Sequence, residues 1–279
     1  MRQSEQRAQG AGPFTTRLTW RLSDGGTAVW ESRLARRRGV LAVRPQPGAA
    51  TRHVRADAVS RTRLRRLNAV AAIAFVIGGA LFTAGAAVAQ FGVADATECA
   101  SIYFAGGLFF TTGGYASLLQ AINAPRHVPG GEGQLVTRPW RWWSYEPARV
   151  DWLSTFVLFS GTLVFAVDLL DSFQGLSAQQ VNRLIWAPDV IGCVLFLLSG
   201  HLAFVEICHG RLRVRPHDLG WWIVTVNQLG SVLFMVSAVA AYTRPATGSL
   251  VNADIANWGT LTGALCFSLA GVLQLGEHP

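Results

Sequence analysis

The segment Gly263-Ala-Leu-Cys-Phe267-Ser-Leu-Ala-Gly271 decides the fold, because its spacing recurs along the chain. In a helix, positions i, i+4 and i+8 lie on one face, so the two glycines and the phenylalanine share that face. The glycines let a neighbouring helix approach closely, and the phenylalanine fills the groove between them. The other two copies of this Gly-x3-Phe-x3-Gly element are Gly106, Phe110, Gly114 and Gly192, Phe196, Gly200. Three copies of one element predict a tandem repeat.

A shorter Gly-x3-Phe element precedes each copy, within an apolar segment of its own. These elements are Gly78 with Phe82, Gly161 with Phe165, and Gly230 with Phe234. We therefore predict three two-helix hairpins, over residues 67–122, 152–208 and 221–275. Because each hairpin contains two spans, all three hairpins have the same orientation in the membrane. The repeat is therefore parallel, and its units are related by an axis along the membrane normal. We expect the first glycine of each hairpin to face a helix, and Phe110, Phe196 and Phe267 to occupy equivalent positions.

The composition excludes an ordinary soluble domain. The chain has 279 residues, of which 51% are hydrophobic and 14% charged, and its mean hydropathy is +0.30. Each of the six apolar segments is long enough to cross a hydrocarbon core of ~30 Å as a helix of ~20 residues. None shows the alternation of a membrane β-barrel strand. The predicted fold is all-α: a polytopic membrane protein with six transmembrane helices over residues 67–279. An Arg-rich arm over residues 1–66 precedes these helices.

The arginines predict the orientation in the membrane. The net charge is +8, and all 24 basic residues are arginine. Arginine is concentrated before residue 67 and in the second and fourth loops, whereas the other three loops carry only Arg183 and Arg244. Positively charged loops stay in the cytoplasm. Both termini are therefore predicted to be cytoplasmic, in a multi-pass protein of a plasma (inner) membrane. The partner that this pattern implies is the lipid bilayer and not a nucleic acid.

The arm carries two further signals. Leu18 to Leu22 and Val29-Trp30 flank Asp24-Gly25-Gly26, which predicts a short β-hairpin. An isolated hairpin is marginally stable in water, so we expect the arm to be ordered against the membrane domain. The arginines directly before the first span either only fix the topology or also bind anionic lipid headgroups, at about 1 kcal/mol each. These arginines are Arg61, Arg63, Arg65 and Arg66.

Polar side chains inside a membrane are costly and therefore informative. His201 and Asn227 are predicted at nearly the same depth on consecutive spans, and they are the candidate intramembrane polar pair. Glu206 is expected to form a structural ion pair with the nearby arginines of the following loop. Those arginines are Arg211, Arg213 and Arg215. Near the opposite face, Asp168, Asp171 and Asp189 are expected either to be solvated or to pair with Arg183.

The sequence contains no catalytic, cofactor-binding or metal-binding constellation. His201 has no second intramembrane histidine, whereas metal sites usually need three or four protein ligands. The motifs of serine hydrolases, phosphate-binding loops and zinc proteases are missing. The four cysteines are expected to be small packing residues. We therefore expect no cofactor and no metal, and an enzyme is the least favoured class of function.

The hairpin of Gly-x3-Phe and Gly-x3-Phe-x3-Gly resembles the YrhK-like two-helix domain of bacterial membrane proteins. Three further segments are similar to a group of actinobacterial six-span membrane proteins. These segments are Trp143-Ser-Tyr-Glu-Pro147 through Asp151-Trp152, Val181 through Trp186 to Asp189, and Pro245-Ala-Thr-Gly248. The resemblance covers roughly residues 60–276. It implies a fold and brings no activity or ligand with it.

Two functional hypotheses follow. Packing residues throughout the spans and little charge inside them favour a structural or partner-binding membrane protein. The alternative is a small-solute or ion/proton transporter or channel that uses His201 and Asn227. A wet cavity that reaches both residues would favour transport, whereas a close-packed interior would favour the structural role.

Overall fold

The computed structural model describes residues 7–45, 50–127, 133–210 and 213–277. Residues 1–6 of the predicted arm, residues 278–279 of the predicted membrane domain and Arg211, a predicted partner of Glu206, lie outside the described residues. The described chain consists of an N-terminal β-sheet domain and a bundle of long helices.

The N-terminal domain is a five-stranded antiparallel sheet in which each strand pairs with the next along the chain. Its elements are β1 (Arg7–Ala11), β2 (Phe14–Arg21), β3 (Thr27–Glu31), the short helix α1 (Ser32–Arg38), β4 (Val40–Arg44) and β5 (Arg52–Arg55). The predicted hairpin is present as β2 and β3, in a register that pairs Leu18 with Trp30 and Trp20 with Ala28. Its turn contains Gly25 at φ 81°, a left-handed conformation that glycine adopts without steric cost.

Six long helices follow the sheet. They are α2 (Ala58–Phe91), α3 (Ala96–Ile122), α4 (Val150–Asp171), α6 (Ala187–Cys208), α7 (Leu219–Ala240) and α8 (Ala253–Leu275). A short α5 (Ala178–Val181) and a π-helical turn (Asn182–Trp186) lead directly into α6. Each long helix contacts the next, and α8 contacts α2, which closes a ring in the order α2-α3-α4-α6-α7-α8.

Five helices of the described chain are long and apolar enough to cross a membrane: α2, α4, the helix Ala178–Cys208 that ends with α6, α7 and α8. The 27-residue α3 completes the ring but is not among these five. Polar residues such as Thr111, Thr112 and Gln120 interrupt its apolar sequence. The fold is thus mostly helical and fits a membrane-embedded protein, with the small antiparallel sheet as an addition that the all-α prediction did not contain.

The sheet domain packs on one end of the ring, which we call the domain side; the opposite end is the far side. Helix α1 contacts α2, α3 and α6 at the domain side. The connection between α3 and α4 also covers the sheet, through the pair β6 (Arg126–His127) and β7 (Leu135–Val136). The His127 ring lies 5.8 Å from Trp20 and 5.1 Å from Trp30, between ring centroids.

The predicted boundary at residue 67 lies inside a helix. Helix α2 begins at Ala58, where the Asp57 side chain accepts a hydrogen bond from the Ser60 backbone N–H at 2.9 Å. An acceptor at this position satisfies one of the unpaired N–H groups at a helix start. The arginines over residues 61–66 therefore belong to the first turns of α2 and not to an arm.

Glycine and phenylalanine face each other in the same way in each consecutive helix pair. A Cβ added to Gly78 would lie 2.8 Å from Phe110, and one added to Gly106 would lie 2.6 Å from Phe82. At these distances an added Cβ would have to displace the facing phenylalanine ring, so glycine allows the close contact at both positions. The same reciprocal contacts are Gly161 with Phe196, Gly192 with Phe165, Gly230 with Phe267 and Gly263 with Phe234.

The last glycine of each longer element faces the following helix pair. Gly114 of α3 lies against Phe159 and Thr162 of α4. Gly200 of α6 lies against Gln228 of α7. Gly271 of α8 lies against Val76 and Ala72 of α2, so the third helix pair contacts the first. The contacts between helix pairs thus follow the ring in one direction.

We expect Gly192→Leu to destabilise the protein by roughly 1–3 kcal/mol, the usual cost of overpacking a close contact. A Cβ at this position would already lie 2.9 Å from the Phe165 ring. The matched control is Gly175→Leu, because Gly175 has no atom within 4 Å of an added Cβ. The stability of both variants is measured as the free energy of unfolding in detergent. Equal stability of the two variants would contradict the close helix contact.

Candidate anion-binding site

A cavity of about 90 Å³ lies on the axis of the ring, between the domain side and the centre of the bundle. Its walls come from all six ring helices and from α1. A site for one water needs about 10–15 Å³ by this kind of measure, so the cavity has room for a small ion with several waters.

Phenylalanine rings close this cavity toward the far side. Phe110, Phe196 and Phe267 form the layer nearer the cavity, with centroid distances of 5.5 Å from Phe110 to Phe267 and 5.7 Å from Phe196 to Phe267. A second layer beyond them contains Phe82, Phe165 and Phe234. Within each helix pair the two rings are 5.0 to 5.2 Å apart. We call these six rings the phenylalanine plug, because they fill the axis with apolar surface.

Three arginines of α1 line the domain-side end of the cavity: Arg33, Arg36 and Arg37. The helix is short because Gly39 ends it at φ 61°, and the Gly39 N–H donates to the Ala35 carbonyl at 2.9 Å. The α1 sequence repeats arginine at i, i+3 and i+4, which places the three side chains on one face. That face points to the membrane domain, so long arginine side chains reach the axis.

Arg36 forms a buried ion pair with Glu206 of α6. Its Nη2 donates to Glu206 Oε2 at 2.7 Å, and the two side chains are 4% and 0% exposed. The Ser32 hydroxyl donates to the other carboxylate oxygen of Glu206 at 2.8 Å. Burial disfavours the charge on Arg36, but Glu206 and Asp151 outweigh it and raise the pKa of Arg36. Sequence reasoning expected a different partner for Glu206; among the described residues it is Arg36, and not Arg213 or Arg215, that pairs with it.

Arg33 and Arg37 share a second carboxylate, that of Glu277 after α8. Arg33 donates to both Glu277 oxygens, at 3.3 and 3.2 Å, whereas the Arg37 Nε is 3.8 Å from Oε2. Arg37 also donates to Asn68 Oδ1 and, at 3.3 Å, to Gln274 Oε1. Burial raises the pKa of the Glu277 carboxyl, but Arg33 and Arg37 outweigh it and lower that pKa below its ordinary value.

The cluster contains three arginines but only two carboxylates, so one positive charge is in surplus. Arg33 and Arg36 are each paired closely with a carboxylate, which leaves Arg37 as the surplus cation among the described residues. Burial, and then the positive charge of Arg36, lower the pKa of Arg37 to about 9, so the group is still charged at pH 7. A buried charge is costly unless it is paired. The cluster therefore favours a bound anion.

Hydrogen-bond donors toward such an anion are present on the cavity wall. The Nε groups of Arg36 and Arg37 are buried and donate no hydrogen bond within the described part of the chain. The side chains of Ser117 and Asn227 also line the cavity, and neither forms a hydrogen bond with another described residue. Arginine and hydroxyl donors are the groups that bind anions in proteins.

The neighbouring charges balance one another. Arg149, at the start of α4, donates to Asp151 and, at 2.6 Å, to Glu146. Arg126 also donates to Glu146. These groups do not neutralise Arg37, so the surplus charge stays at the axis.

The structure does not bring the predicted pair His201 and Asn227 together. No hydrogen bond joins them in the described chain; His201 is exposed on the outside of the ring, whereas Asn227 lines the cavity. The predicted depth of a residue along a helix does not fix the face of the helix on which it lies. At the far side, no salt bridge within the described ranges joins Arg183 to Asp168, Asp171 or Asp189.

Sequence reasoning missed the arginines of α1 as site residues. They were counted only as topology signals, although the spacing Arg33, Arg36, Arg37 gives one helical face a concentrated charge. Among the described residues, no group of three or more His, Cys, Asp or Glu side chains could hold a metal ion. The surplus charge and the unpaired Nε groups of Arg36 and Arg37 indicate a site for an anion, built from arginines.

Comparison of the chain with protein-family models, with curated proteins and with solved structures gave no match in any of the three. The resemblance to the YrhK-like domain and to the actinobacterial six-span group stays a prediction.

Proposed function

We propose that this protein lets small inorganic anions cross a bacterial plasma membrane along the axis of the helix ring. The observation that carries this proposal is the axial cavity with a surplus buried arginine charge, Arg37, above the phenylalanine plug. Positively charged side chains select anions in pores, and hydrophobic constrictions close pores by excluding water. In this conformation the plug closes the pathway, and the arginines hold the anion on the domain side.

We also propose six spans in three tandem parallel hairpins of the YrhK-like type: α2 with α3, α4 with α6, and α7 with α8. The reciprocal glycine–phenylalanine contacts within each pair support this arrangement, as do the glycine contacts that pass from pair to pair around the ring. Three equivalent units leave a shared site on their common axis. The 27-residue α3 then serves as the sixth span.

In the proposed orientation the domain side and both termini are cytoplasmic, which places the arginine cluster at the inner end of the pathway. Its basis is the predominance of arginine on that side. Arg65 and Arg66 are exposed on the first turns of α2, where anionic lipid headgroups would meet them.

Removing the surplus charge should stop anion passage. In proteoliposomes loaded with chloride, Arg37→Gln should reduce efflux about tenfold or more, because a hydrogen bond to a charged group contributes ~1.5–3 kcal/mol. Arg37→Lys keeps the charge and should retain most of the efflux. Efflux is measured with a chloride electrode after a potassium ionophore is added.

The matched control is Arg52→Gln, which removes an exposed arginine from β5, away from the cavity. It should behave as the unchanged protein. Equal efflux from Arg37→Gln and Arg52→Gln would contradict an anion site at Arg37.

A structural or partner-binding role is the second candidate, and the plug is the observation that favours it. Six phenylalanine rings in edge-to-face and tilted contacts fill the centre of the bundle, as in a purely structural core. This role predicts chloride efflux no faster than from protein-free liposomes, so the same assay separates the two candidates.

The orientation can be tested by labelling single cysteines in a cysteine-free background. Ala246→Cys lies in the exposed far-side loop between α7 and α8, and Arg52→Cys lies in the sheet domain. An impermeant maleimide added to intact cells should label the first and reach the second only after permeabilisation. The reverse pattern would place the termini outside.

A further inference from the structure

A second cavity, of about 390 Å³, lies between the sheet and the connection from α3 to α4. We call it the sheet–loop pocket. Its volume falls within the range of about 300–1,000 Å³ that is usual for small-molecule sites. It is separate from the axial cavity, and no residue lines both.

One half of the sheet–loop pocket is apolar. Leu18 and Trp30 of the sheet, Ala35 of α1, and Ala124 with Pro125 after α3 form this wall. The Trp30 ring lies beside His127, at a centroid distance of 5.1 Å and an interplanar angle of 48°. The buried Trp30 Nε1–H has no hydrogen-bond partner among the described residues. A flat apolar ligand would cover this wall.

The other half is basic. Arg126, Arg138 and Arg149 line it, together with Asp151. Arg126 and Arg149 share Glu146, and Arg149 also pairs with Asp151, whereas Arg138 has no salt bridge within the described chain. Three arginines thus face two carboxylates, so one positive charge is left over at the mouth of the pocket, where Arg138 is exposed.

The histidine adds no positive charge at pH 7. Burial, and then the charge of Arg126, lower the pKa of His127 below its ordinary value. Its neutral ring extends the aromatic wall. The pocket therefore combines a flat apolar surface with a single surplus cation.

We propose that the sheet–loop pocket binds a small organic monoanion with a planar apolar body, of the class of aromatic monocarboxylates. The apolar wall packs against the ring of the ligand, and Arg138 at the mouth donates a charge-assisted hydrogen bond to its carboxylate. This inference goes beyond anion passage through the membrane, and binding alone tests it.

The test uses 4-fluorobenzoate as the probe, followed by ¹⁹F NMR, with the full-length protein in nanodiscs of zwitterionic lipid. Saturable binding to the unchanged protein is expected. Arg138→Gln should weaken binding about tenfold or more, as loss of one charge-assisted hydrogen bond implies. Because Arg138 is exposed, this substitution leaves the core intact. Trp30→Leu should also weaken binding, through loss of the aromatic wall.

Three controls make the result specific. Arg52→Gln should bind the probe as the unchanged protein does. The neutral analogue 4-fluorobenzamide should bind much more weakly, and chloride should not displace the probe. No saturable binding, equal binding by Arg138→Gln, equal binding of the amide, or displacement by chloride would each overturn the proposal. Displacement by chloride would place the probe in the axial cavity instead, and would leave the proposed anion passage standing.

Discussion

Arg36→Leu should cost about 3–5 kcal/mol of stability, the largest effect of any single substitution considered for this protein. The substitution leaves the Glu206 carboxylate in a site where its side chain is 0% exposed, with the Ser32 hydroxyl as its one remaining hydrogen-bond partner among the described residues. The free energy of unfolding, measured by titration with SDS in a mild detergent, reports this cost. The sheet domain should also become sensitive to protease, because Arg36 and Glu206 join it to the ring.

The double variant Arg36→Leu with Glu206→Leu should regain most of the lost stability, since replacing both partners of a buried pair by apolar groups is often nearly neutral. Arg17→Leu is the control, because it breaks the half-exposed pair of Arg17 with Glu31, and it should cost no more than about 1 kcal/mol. If the double variant were as unstable as the single one, the Arg36–Glu206 pair would not be what joins the domains.

Phe267→Ala should raise chloride efflux about tenfold, because it removes a ring from the constriction that excludes water from the axis. Phe267 contacts rings of all three helix pairs: Phe110, Phe196 and Phe234. Its loss therefore opens the layer nearer the cavity more than loss of Phe110 would. Chloride efflux from proteoliposomes is the measurement, with potassium efflux recorded in parallel.

Because Phe267→Ala also removes core contacts, Phe267→Val serves as a milder variant that keeps part of the volume and should give a smaller increase. Phe91→Ala is the matched control, since this phenylalanine is 68% exposed at the end of α2. Gel filtration shows whether the variants are folded. Unchanged efflux in both folded Phe267 variants would contradict the proposal that the phenylalanine plug closes the pathway.

The sequence was most informative about the helical bundle. Apolar segments at membrane length and glycines with a fixed spacing act locally, so they predicted long helices and the contacts of Gly78, Gly161 and Gly230. The hairpin of β2 and β3 was predictable for the same reason, because its alternation and its turn residues lie within one short segment.

The other strands gave no such signal. The strand β1 (Arg7–Ala11) has the sequence Arg-Ala-Gln-Gly-Ala, and β5 (Arg52–Arg55) is Arg-His-Val-Arg, so neither shows an apolar alternation. Their partners in the sheet supply the pairing. The sequence therefore predicts only one hairpin of this sheet, because these strands are set by tertiary contacts and not by a local pattern.

The candidate site could not be predicted from the sequence for a related reason. Arg36 and Glu206 are 170 residues apart, and nothing local indicates that they pair. Glu206 was recognised as an ion-pair residue, but the nearest arginines in sequence were chosen as partners. His201 was favoured by its depth, although only the packed ring decides that Asn227 faces the axis and His201 does not.

The reversal potential of the current through Phe267→Ala in a planar bilayer tests the central claim most directly. With a tenfold gradient of potassium chloride, an anion-selective pathway should reverse close to the chloride equilibrium potential, about 59 mV in magnitude. Adding Arg37→Gln to this variant should shift the reversal potential toward zero. Reversal at the potassium equilibrium potential, or no current above that of a protein-free bilayer, would contradict anion passage along the axis of the ring.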